Sequence, residues 1–247
     1  MIEKLRIRNG VVLPMFNEKH RFSLEKLSEL SKLLIEDSRI LIVDDGSKDD
    51  FTNEIDEFIQ TNQINNVSII RLPLNVGKAT AIKTGFKELI SEFPNLQYLS
   101  FADSDFSAPP SEIVRLIDIA QSLGSDVVCG SRMNIEGRFI EFEVRRYLAG
   151  RVFANLIKLT FKLKLYDSQC GYKVFKNSSD LVKVLAIPAA HRWLIDIELM
   201  TRLRASNPNL KIWEEPLLFW THKGDSKIKF RDILNLSYGI NKLYRSL

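Results

Sequence analysis

The chain has 247 residues, 45% of them hydrophobic and 27% charged, with a net charge of +4; this suffices for one α/β domain with a substantial core and requires no second domain. No run approaches the roughly 18–20 consecutive apolar residues that cross a bilayer, and the start Met1-Ile2-Glu3-Lys4-Leu5-Arg6 lacks the apolar centre of a signal peptide, so a cytoplasmic location is expected. The positive charge suits nucleic acid, anionic lipid or a phosphorylated substrate alike, but no groove-reading or base-stacking motif accompanies it, and a nucleic-acid partner is not expected.

In chain order, Asn9-Gly10-Val11-Val12-Leu13-Pro14 reads as a short buried strand, and Leu24 to Ile35 carries apolar residues at helical spacing. The unit repeats. Ile40-Leu41-Ile42-Val43 runs into Asp44-Asp45-Gly46-Ser47, then a helix from about Asp50 to Gln60, then the strand Val67 to Arg71. A helix around Lys78 to Ser91 leads to the strand Tyr98 to Ala102. Strands alternating with helices of this length predict a mainly parallel sheet covered on both faces. Ligands collect at the carboxyl ends of such strands, where Asn17-Glu18, Asp44-Asp45-Gly46-Ser47 and Asp103-Ser104-Asp105 all fall. From Glu141 to Leu165 basic residues interleave with Phe142, Tyr147, Leu148, Val152, Phe153, Leu156, Ile157, Leu159 and Phe161. This basic amphipathic stretch reads either as an interfacial segment for an anionic membrane or as a pair of core helices.

Asp103 and Asp105 follow an apolar strand directly, placing two carboxylates where a hard divalent cation, Mg²⁺ or Mn²⁺, finds oxygen ligands. A diphosphate leaving group needs such a cation to neutralise its developing charge. Asp44 and Asp45 are placed to accept hydrogen bonds from a base or ribose, and Pro14 to Glu18 form the opposite wall, with Phe16 as a ring beside the base. Asn75-Val76-Gly77-Lys78 is not a P-loop, because Leu72 and Ala79 stand where the pattern needs Gly and Ser or Thr. Lys78 is instead a charge near the diphosphate. His20, His191 and His222 show no metal-like clustering, and Cys129 and Cys170 read as buried, reduced thiols.

Together, Leu13-Pro14-Met15-Phe16-Asn17-Glu18, Val43-Asp44-Asp45-Gly46-Ser47, Asn75-Val76-Gly77-Lys78 and Asp103-Ser104-Asp105 resemble the inverting family 2 glycosyltransferases of GT-A fold. Gly130-Ser131-Arg132, Asp167 to Phe175 and Arg192 to Leu199 look like the polyprenyl-phosphate hexosyltransferase branch, which includes the dolichyl-phosphate β-glucosyltransferases. The resemblance implies one domain over residues 1–247. About 1–130 form a nucleotide-sugar half and about 131–247 an acceptor half with the interfacial segment 141–165.

It further implies that Pro14, Phe16, Glu18, Val43 and Asp45 hold the nucleoside, and that Lys78, Asp103, Ser104 and Lys227 attend the donor diphosphate. The metal falls to Asp103, Asp105 and Ser107. Arg132, with Arg145, Arg146 and Arg151, faces the phosphate of the acceptor. Lys223, Lys227 and Lys229 read either as a basic loop closing over the substrates or as a solvated loop. The expected donor is a nucleotide-diphosphate sugar, UDP-glucose ahead of GDP-mannose, and the expected acceptor is a polyprenyl phosphate at the cytoplasmic face of a membrane.

A phosphate acceptor is already an oxyanion at neutral pH and needs little help from a base. A hydroxyl acceptor needs its proton removed, and Asp196 stands where relatives place that base; its other reading is a carboxylate at a helix start. A non-catalytic nucleotide-sugar or membrane binder is the remaining alternative.

Overall fold

The computed structural model describes residues 2–141, 144–223 and 230–247. Its first half alternates as the periodicity predicts: α1 (Ile2–Arg6), β1 (Asn9–Met15), α2 (Leu24–Leu33), β2 (Ser38–Asp44), α3 (Phe51–Thr61), β3 (Val67–Arg71), α4 (Lys78–Glu92) and β4 (Tyr98–Ala102). The second half adds α5 (Pro110–Leu123), β5 (Val127–Ser131), β6 (Phe139–Ile140), α6 (Val144–Phe161), β7 (Tyr172–Lys176), α7 (Ser179–Ala186), α8 (Ile195–Ser206), β8 (Ile212–Pro216), β9 (Phe219–Trp220) and α9 (Phe230–Arg245). Local chemistry sets the helix ends. Ser23 caps α2 by accepting from the Lys26 N–H at 3.2 Å, and α5 opens on Pro110 and closes at Gly124, whose φ of 57° is left-handed. Ile35, assigned to α2 by its spacing, lies beyond the helix and is 66% exposed.

Seven strands form one sheet in the order β3-β2-β1-β4-β7-β5-β8, and β6 pairs with β9 in a small second sheet. In the large sheet β7 runs antiparallel to both neighbours and every other pair is parallel. The β1–β2 ladder continues to Met15 opposite Asp44, whereas β1–β4 ends at Val12 opposite Phe101. The strands therefore part at their carboxyl ends. Pro14, which has no N–H to donate, sits beyond the last β1–β4 partner. Because the chain order reverses between β1 and β4, this opening is the topological switch point of the sheet, where α/β proteins bind ligands.

Alternation along the buried strands feeds two cores. Val12, Leu41, Val43 and Phe101 pack on one face against α4, α7 and α8, and Val11, Leu13, Ile40 and Ile42 on the other against α2, α3 and α5. Each such side chain contributes about 1.5–3 kcal/mol by leaving water. Cys129 and Cys170 are buried and unpaired, and burial pushes both thiols up to about 12, so neither is a thiolate at neutral pH.

Within the segment 141–165 the described residues form one helix, α6 (Val144–Phe161), with apolar residues on two opposite sides. Ala154, Ile157 and Phe161 face the core, while Leu148, Val152, Leu156 and Leu159 form an outer stripe, 58%, 71%, 44% and 81% exposed. The pair of core helices expected as one reading is thus a single helix whose inner side packs in the core. No helix among the described residues is long and apolar enough to cross a membrane.

Candidate active site

At the carboxyl end of β2, Asp44 is spent on the local turn, accepting from the Ser47 N–H at 2.9 Å and the Thr52 hydroxyl at 2.6 Å. Asp45 reaches across to the loop before α4, where its two oxygens accept the Val76 and Gly77 N–H groups at 2.7 and 2.8 Å. Burial raises its pKa, and those two N–H groups act in the opposite direction. Asp45 thus shapes the cleft wall, with one lone pair left on each oxygen for a ligand. Gly46 and Gly77 make the approach possible. Both have positive φ, and a Cβ would lie 2.6 Å from the Leu74 carbonyl carbon at Gly46 and 2.8 Å from Arg192 Cβ at Gly77.

Asp103 and Asp105 follow β4. Lys78, the first residue of α4, donates to Asp103 Oδ1 at 2.6 Å. Burial opposes the lysine's charge, but Asp103 and then Asp196 outweigh it and raise its pKa. Asp105 is more enclosed. Its Oδ1 accepts from the Ser107 N–H at 3.0 Å and the Ser107 hydroxyl at 2.8 Å, and its Oδ2 is in contact with Arg21 from the loop after β1. Gly171, just before β7, lies directly beneath Asp103, where a Cβ would fall 1.9 Å from Oδ2.

On the β5 side Arg132 grips Asp167 through two bonds, Nε to Oδ2 at 2.6 Å and Nη2 to Oδ1 at 2.9 Å, and its guanidinium lies 5.3 Å from the Trp220 ring centre. Although burial acts the other way, Arg132 holds the Asp167 carboxyl down at about 2. Beneath the cleft, Asp196 is 5% exposed and accepts from Lys173 Nζ at 3.0 Å, while Lys173 also donates to the Cys170 carbonyl. Burial opposes the charge of Lys173, but Asp196 outweighs it and raises the lysine's pKa.

The predicted residues thus gather around one opening, with corrections. Val43 has no exposed side-chain surface: it packs beneath Gly85 of α4 and is a core residue, so its side chain cannot line a nucleoside site. Ser104 is buried under its loop, and Ser107 orients Asp105 through its hydroxyl. Phe16 stands half-buried just past β1, and Glu18 is buried 3.8 Å from Arg21. Arg151 lies 3.7 Å over the Tyr166 ring and donates to the Tyr166 carbonyl at 2.6 Å. The side chains of Arg145 and Arg146, and residues Lys227 and Lys229, lie outside the described residues. Lys223 is described, two residues after Thr221, whose N–H donates to the Ser107 carbonyl at 2.8 Å.

Sequence reasoning missed Arg21, Lys173 and the part played by Asp167. Arg21 is 84 positions from Asp105, and no local pattern marks it. Among the described residues no third His, Cys, Asp or Glu joins Asp103 and Asp105. Two hard carboxylates without further protein ligands fit an ion such as Mg²⁺, which completes its shell with substrate phosphate and water.

A largely parallel sheet with carboxylates gathered at its switch point is the arrangement of a GT-A glycosyltransferase, and comparison with known proteins places the chain in that class. Residues 10–181 match the family model for glycosyl transferase family 2, and the chain belongs to that family of enzymes. It is 30% identical to an uncharacterised protein of Methanocaldococcus jannaschii, over 67% of this chain and 70% of that one. It is 26% identical to the dolichyl-phosphate beta-glucosyltransferase of Dictyostelium discoideum, over 89% of this chain and 68% of that one. The chain thus spans about seven-tenths of the length of these two relatives. The fold is shared with glucosyl-3-phosphoglycerate synthase of Mycobacterium tuberculosis, solved with Mn²⁺, uridine diphosphate and phosphoglyceric acid. The TM-score is 0.65 at 16% identity, over 96% of this chain and 76% of that one.

Proposed function

We propose that this glycosyltransferase moves a hexose, glucose by preference, from a uridine-diphosphate sugar to a polyprenyl phosphate with inversion, giving a β-linked phosphoglycolipid at a membrane surface. The dolichyl-phosphate relative supports the acceptor class, and the uridine diphosphate and Mn²⁺ of the structural neighbour support the donor and the cation. The observation that carries the reading is the state of Asp196. A general base must reach the proton it removes. Asp196 is buried and ion-paired to a wholly buried lysine, an arrangement that suits an acceptor already ionised on arrival.

In this reading the mouth of the β1–β2 loops receives the base and ribose, with Phe16 beside the base and Asp45 fixing the wall. Asp103 and Asp105 hold a divalent cation, which supplies Lewis-acid neutralisation of the departing diphosphate. Lys78 adds a positive charge on the same side, and Arg132, oriented by Asp167, presents its remaining N–H groups to the acceptor phosphate. The acceptor oxyanion attacks the anomeric carbon opposite the leaving diphosphate. The outer stripe of α6, with the exposed Lys158 beside it, rests on the anionic membrane that carries the lipid.

The test is transfer by the purified chain with UDP-glucose and GDP-mannose, a short polyprenyl phosphate, and Mg²⁺ or Mn²⁺. Asp196→Asn alone leaves Lys173 as an uncompensated buried charge and costs about 3–5 kcal/mol of stability. The informative variant is therefore the neutral pair Lys173→Gln with Asp196→Asn. It is expected to transfer within about tenfold of wild type, whereas loss of a true base costs about 10²- to 10⁴-fold. A folded double variant with a loss of that size would favour a hydroxyl acceptor.

A further inference from the structure

Two acidic side chains offered to a cation are each already claimed by a positive one: Lys78 holds Asp103, and Arg21 holds Asp105. These four charges cancel. A divalent cation entering alone must displace a bound cation and leaves the strand end with excess positive charge. A divalent cation entering with a sugar-nucleotide diphosphate brings equal and opposite charge, and the displaced guanidinium finds phosphate oxygens to bind.

Arg21 is built for that exchange. Its backbone is fixed, because the Arg21 N–H closes a turn onto the Glu18 carbonyl at 2.8 Å. Next to it, Phe22 packs edge-on against Phe51 and Phe106, at 5.7 and 5.4 Å between ring centres. Phe106 adjoins Asp105 and has a φ of 50°, so the loop bearing Arg21 and the loop bearing Asp105 are bolted together by rings. The arginine side chain is less committed. It is 28% exposed, its Nε–H is buried without an acceptor among the described residues, and Glu18 stands 3.8 Å from Nη1 as a second anion beside it.

We propose that Arg21 is a resident counter-ion of the cation site. It neutralises Asp105 while the site holds no metal, and on joint binding it passes to the donor diphosphate, so that divalent cation and nucleotide diphosphate each bind weakly alone and tightly together. Arg21 is thereby a positioning residue that discriminates the loaded donor from free metal. This rests on the assignment of Asp105 as a metal ligand.

The experiment is equilibrium binding of Mn²⁺ to the full chain, read from the electron paramagnetic resonance signal of free Mn²⁺, with and without saturating uridine diphosphate. Arg21→Gln is expected to bind Mn²⁺ alone about tenfold more tightly than wild type, the lower end of what one contacting charge does to ionic affinity. Its tightening by uridine diphosphate should shrink by at least the same factor. Arg21→Lys, which keeps the charge, should restore weak binding of the metal alone, and circular dichroism confirms that each variant is folded. Unchanged or weaker Mn²⁺ binding by Arg21→Gln, with binding lost in Asp105→Asn, would overturn the counter-ion role and leave the metal ligand standing. Equal Mn²⁺ binding by Asp105→Asn and wild type would overturn the metal assignment itself, and the inference with it.

Discussion

Gly171 shows how a residue without a side chain determines where a charged one sits. A Cβ at that position overlaps the Asp103 carboxylate, the end of a side chain that is 37% exposed. Gly171→Ala is therefore expected to displace the carboxylate and leave the core intact, lowering transfer by about 10²-fold or more, because about 1 Å of misplacement at a reacting centre costs that much. The thermal midpoint should fall by only a few degrees. Transfer at the wild-type rate would show that the position of Asp103 does not matter to the reaction. At the same scale Asp45 ties two loops through backbone N–H groups. A carboxylate after a strand is legible in a sequence, but the donors its oxygens meet are 31 and 32 positions away.

At the level of elements, α4 carries Lys78 at its start and lies unusually close to the sheet at Gly85. A Cβ there would stand 2.8 and 2.9 Å from the two γ-carbons of Val12 and 2.9 Å from Val43 Cγ2. Both valines have no exposed surface, so neither can move without disturbing its neighbours. Gly85→Ala is expected to destabilise the fold by about 1–3 kcal/mol from overpacking, reduced by about 1 kcal/mol of helix propensity. Urea unfolding measures it, and an alanine variant as stable as wild type would show that the helix has room to lift. Periodicity located α4 well because its apolar spacing is long and regular. It placed the end of α2 too late at Ile35, because an apolar residue just past a helix mimics one more turn.

On the scale of the whole molecule, the outer stripe of α6 sets four exposed apolar side chains along one helix, with the exposed Lys158 beside them. Anionic vesicles are expected to sediment the protein at low salt and to release it as salt rises, because the attraction is screened while the apolar area is unchanged. Leu156→Glu with Leu159→Glu should abolish binding with little loss of stability, since both side chains are exposed. Failure of the wild-type chain to bind anionic vesicles at low salt would remove the membrane from the account of acceptor delivery.

Sequence alone determined the alternation of strands and helices, the parallel sheet and the positions of Asp45, Asp103 and Asp105, because these depend on local periodicity and on polar residues placed directly after apolar strands. Its family motifs pointed to the same chemistry. Only the tertiary structure decided the charge pairing of the site: Arg21 with Asp105, Lys78 with Asp103, Arg132 with Asp167 and Lys173 with Asp196. It also moved Val43 from the cleft to the core and turned one side of α6 to the core and the other outward. Ion pairs and burial depend on how strands distant in sequence are brought together. The insertion of β7 between β4 and β5 sets Gly171 and Lys173 under the site, and a crossing of that kind leaves no trace in local spacing.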